Sequence, residues 1–478
     1  MGCAWLVATT AFPGRRWLRW ALLAPAALPA YVVAYAYTDI LQVAGPVQTW
    51  LRDLFGWQMG DYWFPPIRSM TGAIMVMTAV FFPYVYIFSL VAFGTQAQRA
   101  VEIARSLGRS PWSSFLTVAI PLARPAIMGG AALVMMETLA DFGTVQHFGI
   151  PTFTTGIYRT WFAMGAPLAA MKLAAYLLLV IGLVIALEYL LRGRGRQTQA
   201  VRLGHDTAFM TPNPPLAWLA TLACLIPAMV GFVLPVLCLI YLAMKSDGLN
   251  SLALMPGAIT DTLWLALAGA LVTVIIALML SLASRRRHGK RHLGPMGVKL
   301  ATLGYAVPGT VLAVGVLVPF GLLDRWIMAV ADDRFGVSLG LIFSGTAFIL
   351  LYAYATRFLA VAVKGLEPGV LRMAENLGDA AQTLGASSWQ RLFRVYLPVL
   401  RPSVLTASVF VFVEVVKELP ATLVLRPFHV ETLALLAYRY AADERLVSAA
   451  LPSLTIGLIG VIPVIILGRI MFARSQQG

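Results

Sequence analysis

The chain has 478 residues, 59% of them hydrophobic and only 12% charged, with a net charge of +15. A soluble domain carries about 25% charged residues, so a water-soluble core of this size is excluded, and the recurring apolar runs are long enough to cross a bilayer as helices of about 20 residues. The basic excess belongs in the cytoplasmic loops of such a protein and does not point to nucleic acid.

Residues 1–12, "MGCAWLVATTAF", are apolar but lack the charged start and cleavage site of a signal peptide. As a helix they would rise about 18 Å, against a hydrocarbon core of about 30 Å. They read as the tail of a helix that begins upstream, with one further helix before it; the alternative is a shortened unit with a short N-terminal surface segment. The second half supports that expectation, because two apolar runs precede its basic loop "SRRRHGKRH", whereas only this stub precedes "FPGRRWLR". Ten complete spans are predicted near 18–38, 70–92, 125–147, 168–190, 216–243, 261–283, 298–320, 338–360, 403–424 and 450–472. A full-length version would hold twelve. Pro29, Pro83, Pro227, Pro235 and Pro308 fall inside these spans, where neighbouring groups can re-satisfy the freed backbone.

With "FPGRRWLR" placed inside and the spans alternating, the Lys and Arg residues concentrate in the inside loops. The Gly-, Pro- and charge-rich stretch at 191–215 reads as a connection between two membrane halves. The expected organisation is a first unit at 1–195, a cytoplasmic linker at 196–215 and a second unit at 216–478. Cys224 and Cys238 share one apolar run and no CxxC pair occurs, so neither a disulfide nor a zinc site is expected.

Each half carries one copy of a polar stretch. Residues 102–127 and 379–404 align without gaps, with nine identities in 26 positions, including Gly108/Gly385, Ser110/Ser387, Trp112/Trp389, Pro121/Pro398 and Pro125/Pro402. Chance would give about two, so two equivalent units are implied. The local reading is helix, break, helix. Gly108 and Gly385 suit the left-handed end of the first helix, and Ser110 and Ser387 suit the N-cap of the second. Pro121 and Pro398 are expected to break it again, with Pro125 and Pro402 in the first turn of the next membrane helix. The result is a helical elbow at the cytoplasmic surface, with Trp112 and Trp389 as amphipathic anchors. A single such helix could rest on lipid; duplication favours a docking element.

The stretches "EIARSLG…IP" and "DAAQTLG…LP" resemble the EAA motif in the permease subunits of ABC importers. The resemblance covers nearly the whole chain and implies an all-α polytopic membrane protein built as two tandem type I permease units. It implies residence in the bacterial inner membrane, embedded in the lipid bilayer as a multi-pass protein. In that family the elbow is the coupling helix that fits a groove on the ATPase subunit. It assigns that role here to Glu102, Ala104, Gly108 and Pro121, and to Asp379, Ala381, Gly385 and Pro398. Ile103 stands in place of the motif's middle Ala, and Asp379 in place of its Glu. The segments at 137–165 and 417–446 resemble the ferric-iron permeases. The implied partners are two copies of an ABC ATPase and a periplasmic solute-binding protein. The chain has no GxxxxGK[ST] phosphate loop, so no cofactor is expected in it and ATP would be used by the partner.

Ionisable groups within spans are candidates for the transport path. Glu137 and Asp141 are spaced i,i+4, as are Glu414 and Glu418 in the second copy. That spacing predicts both carboxylates of each pair on one helix face. Pairing with Lys172, Lys417 or Arg357 is the structural alternative. Carboxylates suit a hard cation, but transport needs transient contacts, so no metal site is firmly assigned. His147 and His429 do not match between the copies and are read as packing or surface residues. Arg159 and Arg439, each following a Tyr, are candidates for docking the binding protein or for interfacial anchoring.

The expected function is a permease that performs no covalent chemistry and moves ferric iron inward. Thiamine, polyamine, sulfate or phosphonate would fit the same architecture. An ion-coupled secondary transporter, a channel or a scaffold are the more distant alternatives.

Overall fold

The computed structural model describes residues 1–94, 98–192, 213–245, 253–285, 304–338, 340–374 and 377–476. The linker expected at 196–215 falls outside the described residues except for its last three, as does the basic loop around 286–303. Among the described residues, eight helices are long and apolar enough to cross a membrane. They are Met70–Ala92, Trp112–Ala140, Pro167–Leu187, Pro214–Ala243, Met255–Ser284, Gly309–Phe335, Ala347–Arg372 and Ser388–Lys417. The run expected at 450–472 lies within the helix Leu446–Gln476. The chain is therefore an all-α polytopic membrane protein.

The span expected at 18–38 is not one helix. Arg15–Ala27 and Ala30–Phe55 meet at a bend of 94°. Leu28 (ψ 134°) and Pro29 (ψ 145°) are extended at the break, because a residue preceding proline is pushed out of the helical region. The second half repeats this device. A short 3-10 turn at Gly304–Ala306 is followed by Pro308 with ψ 143°, and the helix Gly309–Phe335 begins there. "ALPA" and "AVPG" are thus a second repeated element.

Three second-half helices begin and end at different places from those expected. Gly309–Phe335 continues past 320 through Asp324 and Arg325. A charged residue usually signals a loop, but Asp324 is fully buried. Its carboxylate accepts hydrogen bonds from the amides of Ile342 (3.1 Å), Phe343 (3.0 Å) and Ser344 (2.7 Å) and from the Ser344 hydroxyl. The charge is satisfied by the following loop. Gly336, with φ 60°, ends the helix. The next helix starts at Ala347, later than predicted. The one after it starts at Ser388, before Pro398.

The chain folds as two compact units, each discontinuous in sequence. The first comprises Met1–Thr155, Tyr176–Asn250 and Tyr440–Gly478; the second comprises Gly156–Ala175 and Ser251–Arg439. In the second unit, Ala347–Arg372 packs against Met255–Arg285 and Leu397–Lys417. Gly365 and Gly369 allow that approach: a Cβ on Gly365 would lie 2.9 Å from the Ala407 Cα, and one on Gly369 would lie 2.4 Å from the Ser403 Oγ. Small residues at i,i+4 let helix backbones pack closely. In the first unit the helix Met70–Ala92 packs on Ile120–Ala140, with Gly130 against the Val85 backbone. The N-terminal segment forms the helix Gly2–Thr9, whose buried Trp5 packs on Phe93 and Phe115 at 5.5 and 5.0 Å.

Candidate functional site

The two polar stretches fold alike. The first has a helix at Gln98–Ser106, then Gly108 at φ 83°. The amide of Arg109 reaches back to the Ala104 carbonyl at 3.1 Å, and that of Gly108 to the Arg105 carbonyl at 2.9 Å. The second has a helix at Leu377–Thr383, then Gly385 at φ 81°. There Ala386 reaches Ala381 at 3.0 Å and Gly385 reaches Gln382 at 2.9 Å. This is the glycine-dependent C-cap that satisfies the last carbonyls of a helix. A serine cap restarts the chain. The Ser110 Oγ accepts from the Ser113 amide at 3.2 Å. Ser387 forms a reciprocal box with Gln390, at 3.3 and 2.9 Å.

One expectation is corrected. Pro121 and Pro398 do not break the second limb. The helix runs unbroken from Trp112 to Ala140 and from Ser388 to Lys417. A wider π-type turn at Phe115–Ala119 and at Arg391–Tyr396 lies just before each proline. It takes up the missing N–H and the ring clash that proline brings to a regular helix. Each elbow is therefore continuous with a membrane helix, and Pro125 and Pro402 lie inside that helix, not in its first turn.

The elbow tips present matching apolar residues. Leu107 and Trp112 are 78% and 67% exposed, and Leu384 and Trp389 are 88% and 68% exposed. Asp379, Pro121 and Pro398 are exposed, Ala104 is buried and Ala381 half-buried. Glu102 lies on the first limb of its elbow.

The carboxylate pairs differ from expectation. Each helix ends one residue before the second carboxylate, so the pair does not share a helix face. Ile120–Ala140 stops at Asp141 (φ −63°, ψ 135°), and Leu397–Lys417 stops at Glu418 (φ −70°, ψ 120°). Each then caps a short helix. The Asp141 carboxylate accepts from the amides of Thr144 and Val145, both at 3.1 Å, and from the Thr144 hydroxyl at 2.9 Å. Glu418 accepts from the amides of Ala421 (3.1 Å) and Thr422 (3.0 Å) and from the Thr422 hydroxyl (2.9 Å). The capped helices are Gly143–His147 and Pro420–Leu425. Each packs against the helix that follows the Ala-X-Pro break. Glu137 and Glu414 remain half-buried, one turn before the end.

Glu418 has an additional partner. Arg357 donates to its Oε1 at 2.7 Å, with side chains 14% and 1% exposed. Arg357 is one of the three basic residues weighed from sequence as partners of these carboxylates. Gly309 leaves room for the pair, since a Cβ there would lie 2.2 Å from the Arg357 Nη1. His147 is a packing residue: its Nε2 meets the Thr38 hydroxyl at 3.0 Å, and its ring lies edge-on to Tyr35. His429 is exposed.

Arg159 is exposed on the helix Phe153–Phe162. Arg439 pairs with Glu431 at 2.8 Å. Both belong to the second compact unit.

Sequence reasoning missed an ion pair in the first unit. Arg68 donates twice to Glu444, at 2.6 Å each, across 376 residues of sequence. Glu444 is the one non-glycine among the described residues with positive φ, at 59°. Gly165, past the end of the helix Phe153–Phe162, is also at 59°. No local spacing joins two residues so far apart in the chain.

A family model described as the binding-protein-dependent transport system inner membrane component matches residues 2–196 and 282–477. The Fe(3+)-transport system permease protein FbpB 2 of Haemophilus influenzae is 26% identical over 98% of this chain and 86% of its own length. A putative ferric transport system permease protein, FbpB 1 of the same organism, is 23% identical over 84% of this chain and 63% of its own. The molybdenum transport system permease protein ModB of Escherichia coli is 29% identical over 30% of this chain and 60% of its own.

Proposed function

The chain belongs to the binding-protein-dependent transport system inner membrane components, and from that premise we propose that it is the fused permease of an ABC importer for ferric iron. Its place is the inner membrane, which it crosses several times. The two halves, 1–195 and 216–478, act as paired permease units joined by 196–215. A periplasmic binding protein delivers the ion, and two copies of a separate ATPase supply the energy. Closure of the ATPase pair pushes on both elbows, the membrane helices rock, and the ion passes inward. The permease itself makes and breaks no covalent bond.

The observation that carries the coupling role is the duplicated elbow. Each copy ends its first limb on a left-handed glycine and presents an exposed Leu–Trp pair. Each second limb is continuous with a membrane helix, so a push at the tip is transmitted along a rigid element. Glu102 and Ala104, with Asp379 and Ala381, form the first limbs that would meet the ATPase. The cargo assignment is supported by the names of the relatives that align with most of the chain. Glu137, Asp141, Glu414 and Glu418 are the candidates for the path, and Arg159 and Arg439 for steering the binding protein.

The test is uptake of radiolabelled ferric iron into vesicles holding the permease, its ATPase and its binding protein. Vanadate should abolish accumulation. Collapse by an ionophore alone would replace the ABC reading with an ion-coupled one. Accumulation of sulfate or molybdate in place of iron would change the cargo and leave the architecture standing. Neutralising Glu137 and Glu414 together should slow uptake more than it lowers the amount of protein in the membrane. A proportional fall in both would make these residues structural.

A further inference from the structure

The helix Pro46–Phe55 is amphipathic but turned the wrong way for a helix in water. Its apolar residues Val47, Trp50, Leu51, Leu54 and Phe55 recur at helical spacing, and a globular protein would bury such a stripe. Here Trp50, Leu54 and Phe55 are 61%, 57% and 55% exposed, whereas the polar Gln48 is 6% exposed.

The polar side makes the contacts to the rest of the first unit. Gln48 donates to the Leu41 carbonyl at 2.8 Å and accepts from the Tyr62 hydroxyl at 2.8 Å. Arg52 donates to the Tyr62 hydroxyl and to the Val43 carbonyl, both at 2.9 Å. The helix stops at Gly56, with φ 67°. The chain then folds back as an aromatic stack, Phe55 on Trp57 at 4.5 Å and Trp57 on Tyr62 at 5.3 Å. Trp63, next in line, is 86% exposed.

We propose that residues 46–63 form a foot lying in the lipid headgroup–acyl boundary, with Trp50, Leu54 and Phe55 turned into the lipid. Water is the wrong solvent for that stripe, and the polar face is already engaged. The surface also continues an existing lipid-facing one. The span Met70–Ala92 begins directly after the foot, and its first turns expose Met70 and Ile74 at 61% and 60%. Trp and Tyr collect at the membrane–water interface because their rings are apolar and their edges polar. A surface helix with a polar and an apolar face inserts at that depth. The foot lies at the end of Met70–Ala92 away from the first elbow, so it rests on the opposite leaflet.

The 478-residue chain, with Cys3, Cys224 and Cys238 replaced, is spin-labelled singly at positions 50, 53 and 54. It is then reconstituted into vesicles of phosphatidylethanolamine and phosphatidylglycerol. Oxygen partitions into the bilayer and a nickel chelate stays in water. Labels at 50 and 54 should show an oxygen-to-nickel collision ratio severalfold above that at 53. A ratio at 54 no higher than at 53 overturns the proposal. Protection of 54 from both reagents also overturns it, because a protein then covers the stripe. As a check that labels have not disturbed the fold, the unlabelled chain is placed in brominated phospholipid. Trp50→Phe and Trp63→Phe should each remove part of the lipid-quenchable tryptophan emission, and loss confined to the iodide-quenchable part overturns the proposal.

Discussion

Asp141 and Glu418 occupy equivalent places, one residue beyond a membrane helix, and cap equivalent short helices. They differ in how the charge is balanced. The side-chain and backbone donors that Asp141 accepts from belong to its own short helix. Glu418 takes the same kind of bonds and adds a buried arginine. Both carboxylates take amides from the third and fourth residues onward, and the added methylene of Glu418 moves only the hydroxyl contact, from the third residue, Thr144, to the fourth, Thr422. Duplication has preserved the backbone device while the electrostatics have diverged. A carboxylate can serve as a cap in both copies, yet among the described residues a neighbouring helix is tied to it through charge in the second.

The largest test of that difference is Arg357→Met. Removing one partner of a buried ion pair leaves the other uncompensated and costs about 3–5 kcal/mol. Thermal unfolding in detergent should show this loss, and the double change Arg357→Met with Glu418→Gln should recover most of it. A loss no greater than that of Asp141→Ala would erase the distinction between the copies. Next in size is Gly309→Ala, whose Cβ would fall 2.6 Å from the Glu418 Oε1. Overpacking of this kind costs about 1–3 kcal/mol. Ala30, first in the helix after the corresponding break, already carries a Cβ, so Ala30→Gly should change the melting temperature much less.

The elbows should behave alike where the caps do not. Gly108→Val and Gly385→Val each place a β-branched residue at positive φ, a cost of about 1–2 kcal/mol. Both should weaken co-purification of the ATPase while the membrane helices remain folded by circular dichroism. If neither affects co-purification or uptake, the elbows are not the coupling elements. Asp141→Ala removes the carboxylate that accepts the first-turn amides of Gly143–His147, a capping loss of about 0.5–2 kcal/mol, and it should leave the second copy's Arg357–Glu418 pair undisturbed.

The smallest effect concerns Glu444, which holds the left-handed conformation that glycine usually takes. Arg68 holds the Glu444 carboxyl below its ordinary value of 4.5, chiefly through hydrogen bonds. The stabilisation is complete above the ordinary carboxylate range and is lost as pH falls through the lowered value of the folded state. The pair is partly exposed, with side chains 36% and 63% accessible, and exposed pairs contribute about 0–1 kcal/mol. The left-handed glutamate costs about 1–2 kcal/mol. Glu444→Gly should therefore leave stability near neutral pH unchanged or slightly raised, and flatten its acid dependence below the ordinary carboxyl value of 4.5. Melting curves across that range decide it, and a marked loss at neutral pH would give the ion pair the larger share.

Much of this architecture follows from composition and local chemistry. The length and apolarity of the runs require membrane helices, since a lipid interior forces every backbone group to pair within its own segment. Gly108, Gly385, Ser110 and Ser387 made the elbows legible, because caps and left-handed turns are settled by a few adjacent residues. The local code failed where a charge is answered from far along the chain. Asp324 lies beyond the span expected at 298–320 but is buried in a helix because the amides at 342–344 close over it. Arg357 and Glu418 stand 61 residues apart, Arg68 and Glu444 stand 376 apart, and no local pattern records such pairs. The i,i+4 spacing of Glu137 and Asp141 predicts a shared face only if the helix continues, and the cap at Asp141 ends it. The sequence by itself determined which segments enter the membrane and where the duplicated elbows turn, since both depend on near neighbours and solvent. Only the tertiary structure decided where the helices end, which charges meet and which face of Pro46–Phe55 remains uncovered, since each depends on what packs against it.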